Sequence, residues 1–405
     1  MSQLANLREL LREIAATNRF YAPRLATAGV TPEIASLAEF TARMPFTHKA
    51  DLVADQTAHP PYGSNLTFPL ERYTRFCQTS GTTARPLAIL DTPESWDWML
   101  GNWLRIYRAA GVAPGQRAYF AFSFGPFLGF WTAFEAAAKL GCLCIPGGGL
   151  GTAARVRTMI EHRAEVLCCT PTYAMHMAEV AEREGINLGS AAVRRIIVAG
   201  EPGGSVPGVR ARIEAAWPGA HVVDHYGMTE VGPVAFQPFD RVGALEIIEE
   251  SYFAEIVNSD TGDTVALGTI GELVLTTLGR TACPLLRYRT GDLVRRDLGA
   301  SGFVLDGGIV GRTDDMVVVR GVNLYPSAVE AVVRGVSEVQ EYRVEVSRRG
   351  SLAEVALAIE CASEDTPRQL EAALAAAFSL RIPVRRLEAG MLPRFELKAR
   401  RWVKV

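Results

Sequence analysis

Residues 222–234 read VVDHYGMTEVGPV, an apolar strand-like run that closes on an aromatic ring, a glycine, a hydroxyl and a carboxylate. A flat ring at Tyr226 can stack on a nucleobase, and Gly227 lets backbone approach a ligand closely. Thr229 can donate to phosphate, and Glu230 can bind Mg²⁺ through hard oxygen. Two further segments carry similar chemistry. Residues 79–86, TSGTTARP, form a loop in which Thr79, Ser80, Thr82 and Thr83 can aim N–H and O–H donors at an anion. Residues 287–293, RYRTGDL, set Asp292 after a glycine turn, where a carboxylate can accept hydrogen bonds from ribose hydroxyls. Each alone is compatible with an ordinary turn; together they point to a nucleotide site.

Around the first stretch the chain has an α/β rhythm. AYFAFSF (118–124), CLCIP (142–146), EVLCC (165–169), RRIIVA (194–199) and HVVD (221–224) read as buried strands. Amphipathic segments such as FLGFWTAFEAAAKLG and TYAMHMAEVAERE alternate with them, the pattern of parallel strands with crossover helices. Ligands bind at the carboxyl ends of such strands. After residue 240, ALEIIEE, YFAEIV and GELVLTT read as short strands of a smaller antiparallel sheet or barrel, with HYGMTE as the turn that ends the α/β series. Beyond Asp314, the helices PSAVEAVVRG and RQLEAALAAAFSL and the strands EYRVEVS and EVALAIE make a small α+β domain. The fold expected is therefore α/β: a large N-terminal domain over residues 1–313, then a small C-terminal domain over 314–405.

Composition narrows the partners. A chain of 405 residues with 48% hydrophobic content is too long for one compact core. Lys plus Arg number 42 against 44 Asp plus Glu, with no long basic block, which argues against a nucleic-acid partner. The N-terminal MSQLANLRELLREIAATNRFYAPRL has leucines at helical spacing among Arg and Glu, as in an amphipathic surface helix rather than a signal peptide. No apolar run is long enough for a membrane span. The 7 cysteines read as reduced core thiols of a cytoplasmic protein, not as a metal site.

With these motifs in order, the chain resembles the adenylate-forming superfamily of acyl-CoA synthetases, peptide-synthetase adenylation domains and luciferases. GRTDDMVVVRGVNLYPSAVE (311–330) is similar to the segment joining that family's two domains, and PRFELKARRW (393–402) to the stretch carrying its catalytic lysine. MPFTHKADL (44–52), TPTYA (170–174) and AGEP (199–202) resemble the phenylacetate-CoA ligase branch of aryl-CoA ligases. The resemblance implies ATP, Mg²⁺ and CoA as cofactors, with a carrier-protein phosphopantetheine as the alternative thiol. It assigns Thr79, Ser80, Gly81, Thr82 and Thr83 to the β- and γ-phosphates, Tyr226 to stacking on adenine, and Gly200, Glu201 and Pro202 to the adenine pocket. Asp224, Gly227, Met228 and Arg312 complete the nucleotide site, with Asp292 on ribose. Thr229, Glu230 and Lys398 are its catalytic residues, with Glu230 the metal ligand and Asp314 the hinge of a mobile C-terminal domain. Ala84 and Arg85 depart from the family's usual Gly and Lys in the phosphate loop.

The resemblance places the acyl pocket in FSFGPFLGFW and VGPVAF, which here supply Phe122, Phe124, Phe127, Gly232 and Ala235, an apolar slot suited to a flat ring. Lone histidines are more often structural, so His176 and His225 stay outside the site. Three readings remain open here: an aryl-carboxylate CoA ligase, an aryl-adenylating enzyme of a biosynthetic pathway serving a carrier arm or another nucleophile, and a non-catalytic nucleotide-binding module.

Overall fold

The computed structural model describes residues 2–79, 86–297, 299, 302–315, 317–319, 322–349, 352–395 and 399–405. Its centre is an 8-stranded sheet. Five neighbouring strands run parallel: Leu143–Pro146, Arg117–Phe120, Val166–Cys169, Arg195–Val198 and His221–Met228. Apolar β-branched runs such as RIIV and HVV can sit here because helices cover both faces, leaving no polar side to serve. Local chemistry sets the helix ends. Thr92 Oγ1 accepts from Ser95 N at the start of Pro93–Ala109, and Thr170 Oγ1 accepts from Tyr173 N at the start of Pro171–Arg183. Gly141 at φ 96° closes Leu128–Leu140.

Two sequence expectations shift. HYGMTE is not a turn after a strand that stops at Asp224: the strand continues to Met228 and pairs antiparallel with Gly232–Phe236. Gly227 permits this close pairing, since a Cβ there would lie 2.8 Å from the carbonyl oxygen of Gly232. Secondly, Ala244–Ile247 joins the central sheet beside Gly232–Phe236 rather than the smaller one. The separate antiparallel sheet comprises Tyr252–Val257, Ile270–Thr277, Tyr288–Arg295 and Gly311–Arg312. The helix Gln3–Thr17 buries Leu7, Leu10, Leu11 and Ile14 in the core that this sheet shares with Tyr226.

The C-terminal lobe has its own apolar core, built from Leu324, Val329, Val344, Leu357, Leu370 and others. Four strands carry it: Val384–Leu387, Leu352–Glu360, Glu341–Arg349 and Trp402–Lys404. All 7 cysteines are free thiols. Among the described residues no helix is long and apolar enough to cross a membrane.

One buried ion pair ties three of these pieces together. Arg280 Nε donates to Asp91 Oδ1 at 2.8 Å and Nη2 to Oδ2 at 2.5 Å, with both side chains essentially solvent-free. Nη1 donates to the carbonyls of Thr229 at 3.1 Å and Glu230 at 2.7 Å. Asp91→Ala would leave a buried guanidinium without its counter-charge. We expect a loss of about 3–5 kcal/mol in chemical-denaturation stability, whereas exposed pairs such as Arg72–Glu94 are screened by solvent and contribute far less.

Candidate active site

Strand alternation divides the residues of His221–Met228 between two faces. Val223 and His225 point toward the helices Pro93–Ala109 and Leu128–Leu140, where Val223 joins their core and His225 packs on Trp103. Asp224 and Tyr226 point the opposite way. Asp224 is buried and accepts from Ser205 Oγ at 2.6 Å. Gly204 lets the chain pass so close that a Cβ there would lie 2.5 Å from the Asp224 carboxyl carbon. Burial raises the Asp224 carboxyl to about 6, against the opposing hydrogen bond from Ser205 and the charge of Arg210.

Tyr226 heads a polar chain. Its hydroxyl donates to Asp292 Oδ2 at 2.6 Å, and Arg312 Nη1 donates to Asp292 Oδ1 at 2.8 Å. Arg312 Nε reaches on to Asp314 Oδ1 at 2.9 Å, at the exposed end. Burial, with Asp292 beside it, keeps the Tyr226 phenol far above its ordinary pKa, so it stays a donor. Asp292 and Arg312 face each other across paired strands; Gly291, at φ 75°, lies within the strand Tyr288–Arg295 at a register shift against Ile270–Thr277, and not in the turn that the sequence implied. Three residues from distant segments thus share one wall.

Gly200, Glu201 and Pro202 follow the strand Arg195–Val198 and line the same cleft. The Glu201 carboxylate is already engaged: Oε1 accepts from Thr172 N at 2.8 Å and Oε2 from Ala399 N at 2.9 Å. It therefore clasps the start of a large-lobe helix to the C-terminal tail. Arg401 lies alongside, ion-paired to Glu341 at 2.6 Å and donating to Thr172 Oγ1 at 3.4 Å. Arg394 bridges Glu179 of the large lobe and Glu360 of the small one.

Glu230 is buried, and its Oε1 lies 3.1 Å from Lys49 Nζ. Sequence reasoning missed Lys49; it lies inside MPFTHKADL, and only folding brings that cation to Glu230. Gly227, Met228 and Thr229 line the cleft between Tyr226 and Glu230. Thr79 does so too, but its hydroxyl is partly committed to the frame, accepting from Leu87 N at 3.0 Å. Ser80, Gly81, Thr82, Thr83, Ala84, Arg85 and Lys398 lie outside the described residues.

On the other side stands an aromatic wall. Phe122 and Phe127 line the cleft, and Phe122 stacks on Phe130 with centroids 4.4 Å apart. Gly232 lines it at φ 95°, with Met99 Sδ 3.1 Å from where a Cβ would sit. Phe124 and Ala235, expected in this pocket, are elsewhere. Phe124 lies behind Phe122, packed edge-on to Phe134 and Trp131. Ala235 pairs with Tyr226 across the hairpin, so it shares Tyr226's face and is fully buried in the core beneath it. The whole cleft holds about 2580 Å³, more than the roughly 300–1,000 Å³ of an ordinary single-ligand pocket. That leaves room for a nucleotide and a second substrate together.

Residues 67–280 match the family described as AMP-binding enzyme, and residues 321–404 match the AMP-binding enzyme C-terminal domain. Phenylacetate-coenzyme A ligase of Pseudomonas putida is 32% identical over 89% of this chain and 82% of its own. The enzyme of that name from Thermus thermophilus is 33% identical over 88% of this chain and 80% of its own. A solved 2-hydroxyisobutyryl-CoA ligase in the postadenylation state, bound to 2-HIB-AMP, superposes with a TM-score of 0.93. It is 28% identical, over 100% of this chain and 89% of that one. In its thioesterification state, with 2-HIB-AMP and CoA, the TM-score is 0.73 at 29% identity, over 99% of this chain and 88% of that one. The lobes here have the arrangement of the former state.

A pH dependence follows from Asp224. Its folded-state pKa is raised from 3.8 to about 6, so its stabilising contribution is complete below the lower value and is lost as pH rises through the upper one. Asp224→Asn keeps an acceptor for Ser205 but cannot ionise. Compared with wild type across this window, the variant should lose a fall in unfolding free energy of about 3 kcal/mol or less, read from denaturant titrations at successive pH values.

Proposed function

The chain belongs to the AMP-binding enzyme family, and from that premise we propose that it joins an aromatic carboxylic acid to coenzyme A. The enzyme activates a carboxylic acid with ATP, releases pyrophosphate, and passes the acyl adenylate to the thiol of CoA, giving a thioester and AMP. ATP, Mg²⁺ and CoA are its cofactors. The observation that carries the aromatic substrate is the wall of Phe122, Phe127 and Phe130 beside Gly232, across the cleft from the polar chain of Tyr226, Asp292 and Arg312. Stacked rings leave a flat apolar face suited to an aryl group.

The roles of the residues belong to the same proposal. Pushing a carboxylate onto the α-phosphate of a tetra-anion requires positive charge and donors around the phosphates. Lys49, Arg312 and Lys398 supply the charge, and Thr79, Ser80, Thr82 and Thr83 the donors. Tyr226 and Gly200–Pro202 flank adenine, and Asp292 takes the ribose hydroxyls. Glu230 would hold Mg²⁺: a single buried carboxylate opening on the cleft fits an ion that usually takes one or two carboxylates plus phosphate oxygens. A bound ion would supply positive charge beside the phosphates.

The division into residues 1–313 and 314–405, with Asp314 as the hinge, is likewise proposed. Support comes from the separate core of the C-terminal lobe and from the different match to the two states of the 2-hydroxyisobutyryl-CoA ligase. A short polar segment can absorb backbone rotation without tearing a core. A cytoplasmic setting is part of this reading, supported by seven free thiols.

Pyrophosphate release from ATP, measured over benzoates, phenylacetates, cinnamates and short fatty acids with and without CoA, tests the substrate. Release with an aryl acid, accelerated by CoA and yielding thioester, is the expected result; preference for fatty acids overturns the aromatic assignment, and indifference to CoA points to a carrier arm. Lys398→Ala should lower acid-dependent pyrophosphate release by about 10²-fold or more while still converting a supplied acyl adenylate to thioester. Equal loss of both steps would contradict the proposed lysine role.

A further inference from the structure

The aromatic wall contains a polar atom that the fold does not pair. His225 lies on the acyl-facing side of His221–Met228, lines the cleft, and packs edge-on to Trp103 with centroids 4.4 Å apart. Its Nδ1 is buried and has no hydrogen-bond partner among the described residues. Neighbouring polar groups are satisfied: Trp103 Nε1 donates to Thr132 Oγ1 at 2.8 Å, and that hydroxyl donates to the Leu128 carbonyl at 2.9 Å. Tyr107 Oη, deeper in the same core, donates to the carbonyl of Ala133. An orphaned imidazole nitrogen among rings is costly and is normally completed by water or ligand. Burial lowers the ring's pKa to about 4, so at neutral pH it carries one N–H and one lone pair. The edge-on contact with Trp103 holds the imidazole beside the cleft.

We infer that His225 is the specificity-determining residue for a hydroxyl or amino substituent on the aromatic ring of the acid, accepting a hydrogen bond from it. This rests on the aromatic-acid reading proposed above. A ring bearing such a donor completes the imidazole, while an unsubstituted ring leaves it unpaired, and sites built to hydrogen-bond a substrate reject analogues that lack the group. The fatty-acid and unsubstituted-aryl alternatives have no atom to offer it.

The test is a ratio of kcat/KM values in the pyrophosphate-release assay. Positional hydroxy- and aminobenzoates are compared with the methyl, fluoro and methoxy analogues, with benzoate and with hexanoate. One donor-bearing acid should exceed its methyl and methoxy analogues by about ten- to a hundredfold in the wild-type enzyme. His225→Phe, which keeps a ring against Trp103, should bring that ratio close to one; His225→Gln, which restores an acceptor, should recover part of it. If aryl acids react but the substituent makes no difference, this inference fails and the aromatic reading stands. Preference for hexanoate defeats both. Preference for the methoxy analogue, or a uniform loss across all acids in His225→Phe with the ratio intact, also overturns the assignment.

Discussion

The buried guanidinium of Arg280 does more than pair with Asp91. Asp91 ends the strand Ala88–Asp91, Thr92 caps the following helix, and the carbonyls of Thr229 and Glu230 lie in the turn of the hairpin His221–Met228/Gly232–Phe236 within the central sheet. One side chain thus fixes the first turn of a core helix and the backbone from which Glu230 faces the cleft. Removing charge from water is expensive, and one bidentate carboxylate pair with two carbonyl acceptors is what makes it tolerable here. The arrangement leaves the hairpin little freedom to move, and so holds the Glu230 carboxylate in place beside Lys49.

From that anchored hairpin, strand alternation distributes the chemistry. Asp224 and Tyr226 face the polar loops, while Val223 and His225 face stacked rings. A strand continued to Met228, instead of ending at Asp224, is what lets a single element present side chains to both walls of the cleft. Gly227 and Gly232 make the close pairing possible, since a Cβ on Gly227 would meet backbone and one on Gly232 would meet Met99 and Tyr252. The cleft between the two faces is closed at one end by the C-terminal tail, held on Glu201 and through Arg401.

These lobe contacts are of a kind that can be exchanged. Glu201 accepts two backbone N–H groups, one from each lobe, and Arg394 spans carboxylates of both. Hydrogen bonds and half-exposed ion pairs contribute modestly one by one, so a rotation that breaks several can be offset by new partners elsewhere. The small lobe has an apolar core of its own, separate from these contacts.

The sequence by itself determined the α/β alternation, the parallel strands, and the motif residues Tyr226, Asp292, Arg312 and Gly200–Pro202, which the fold brings to one cleft. Local periodicity and short motifs with glycine turns carry those signals, and both are written within a few residues of one another. It did not determine which wall each pocket residue joins. Ala235 joined the core on Tyr226's face, Phe124 fell behind Phe122 in the aromatic wall, and His225 and Lys49 entered the cleft, because cross-strand register and the packing of remote segments set side-chain direction. Glu201 illustrates the same limit: its place in AGEP was legible, but its clasp on Ala399 depends on a contact 198 residues away. Spacing along the chain encodes the elements; only the tertiary structure decides which polar atoms are paired and which are left for a ligand.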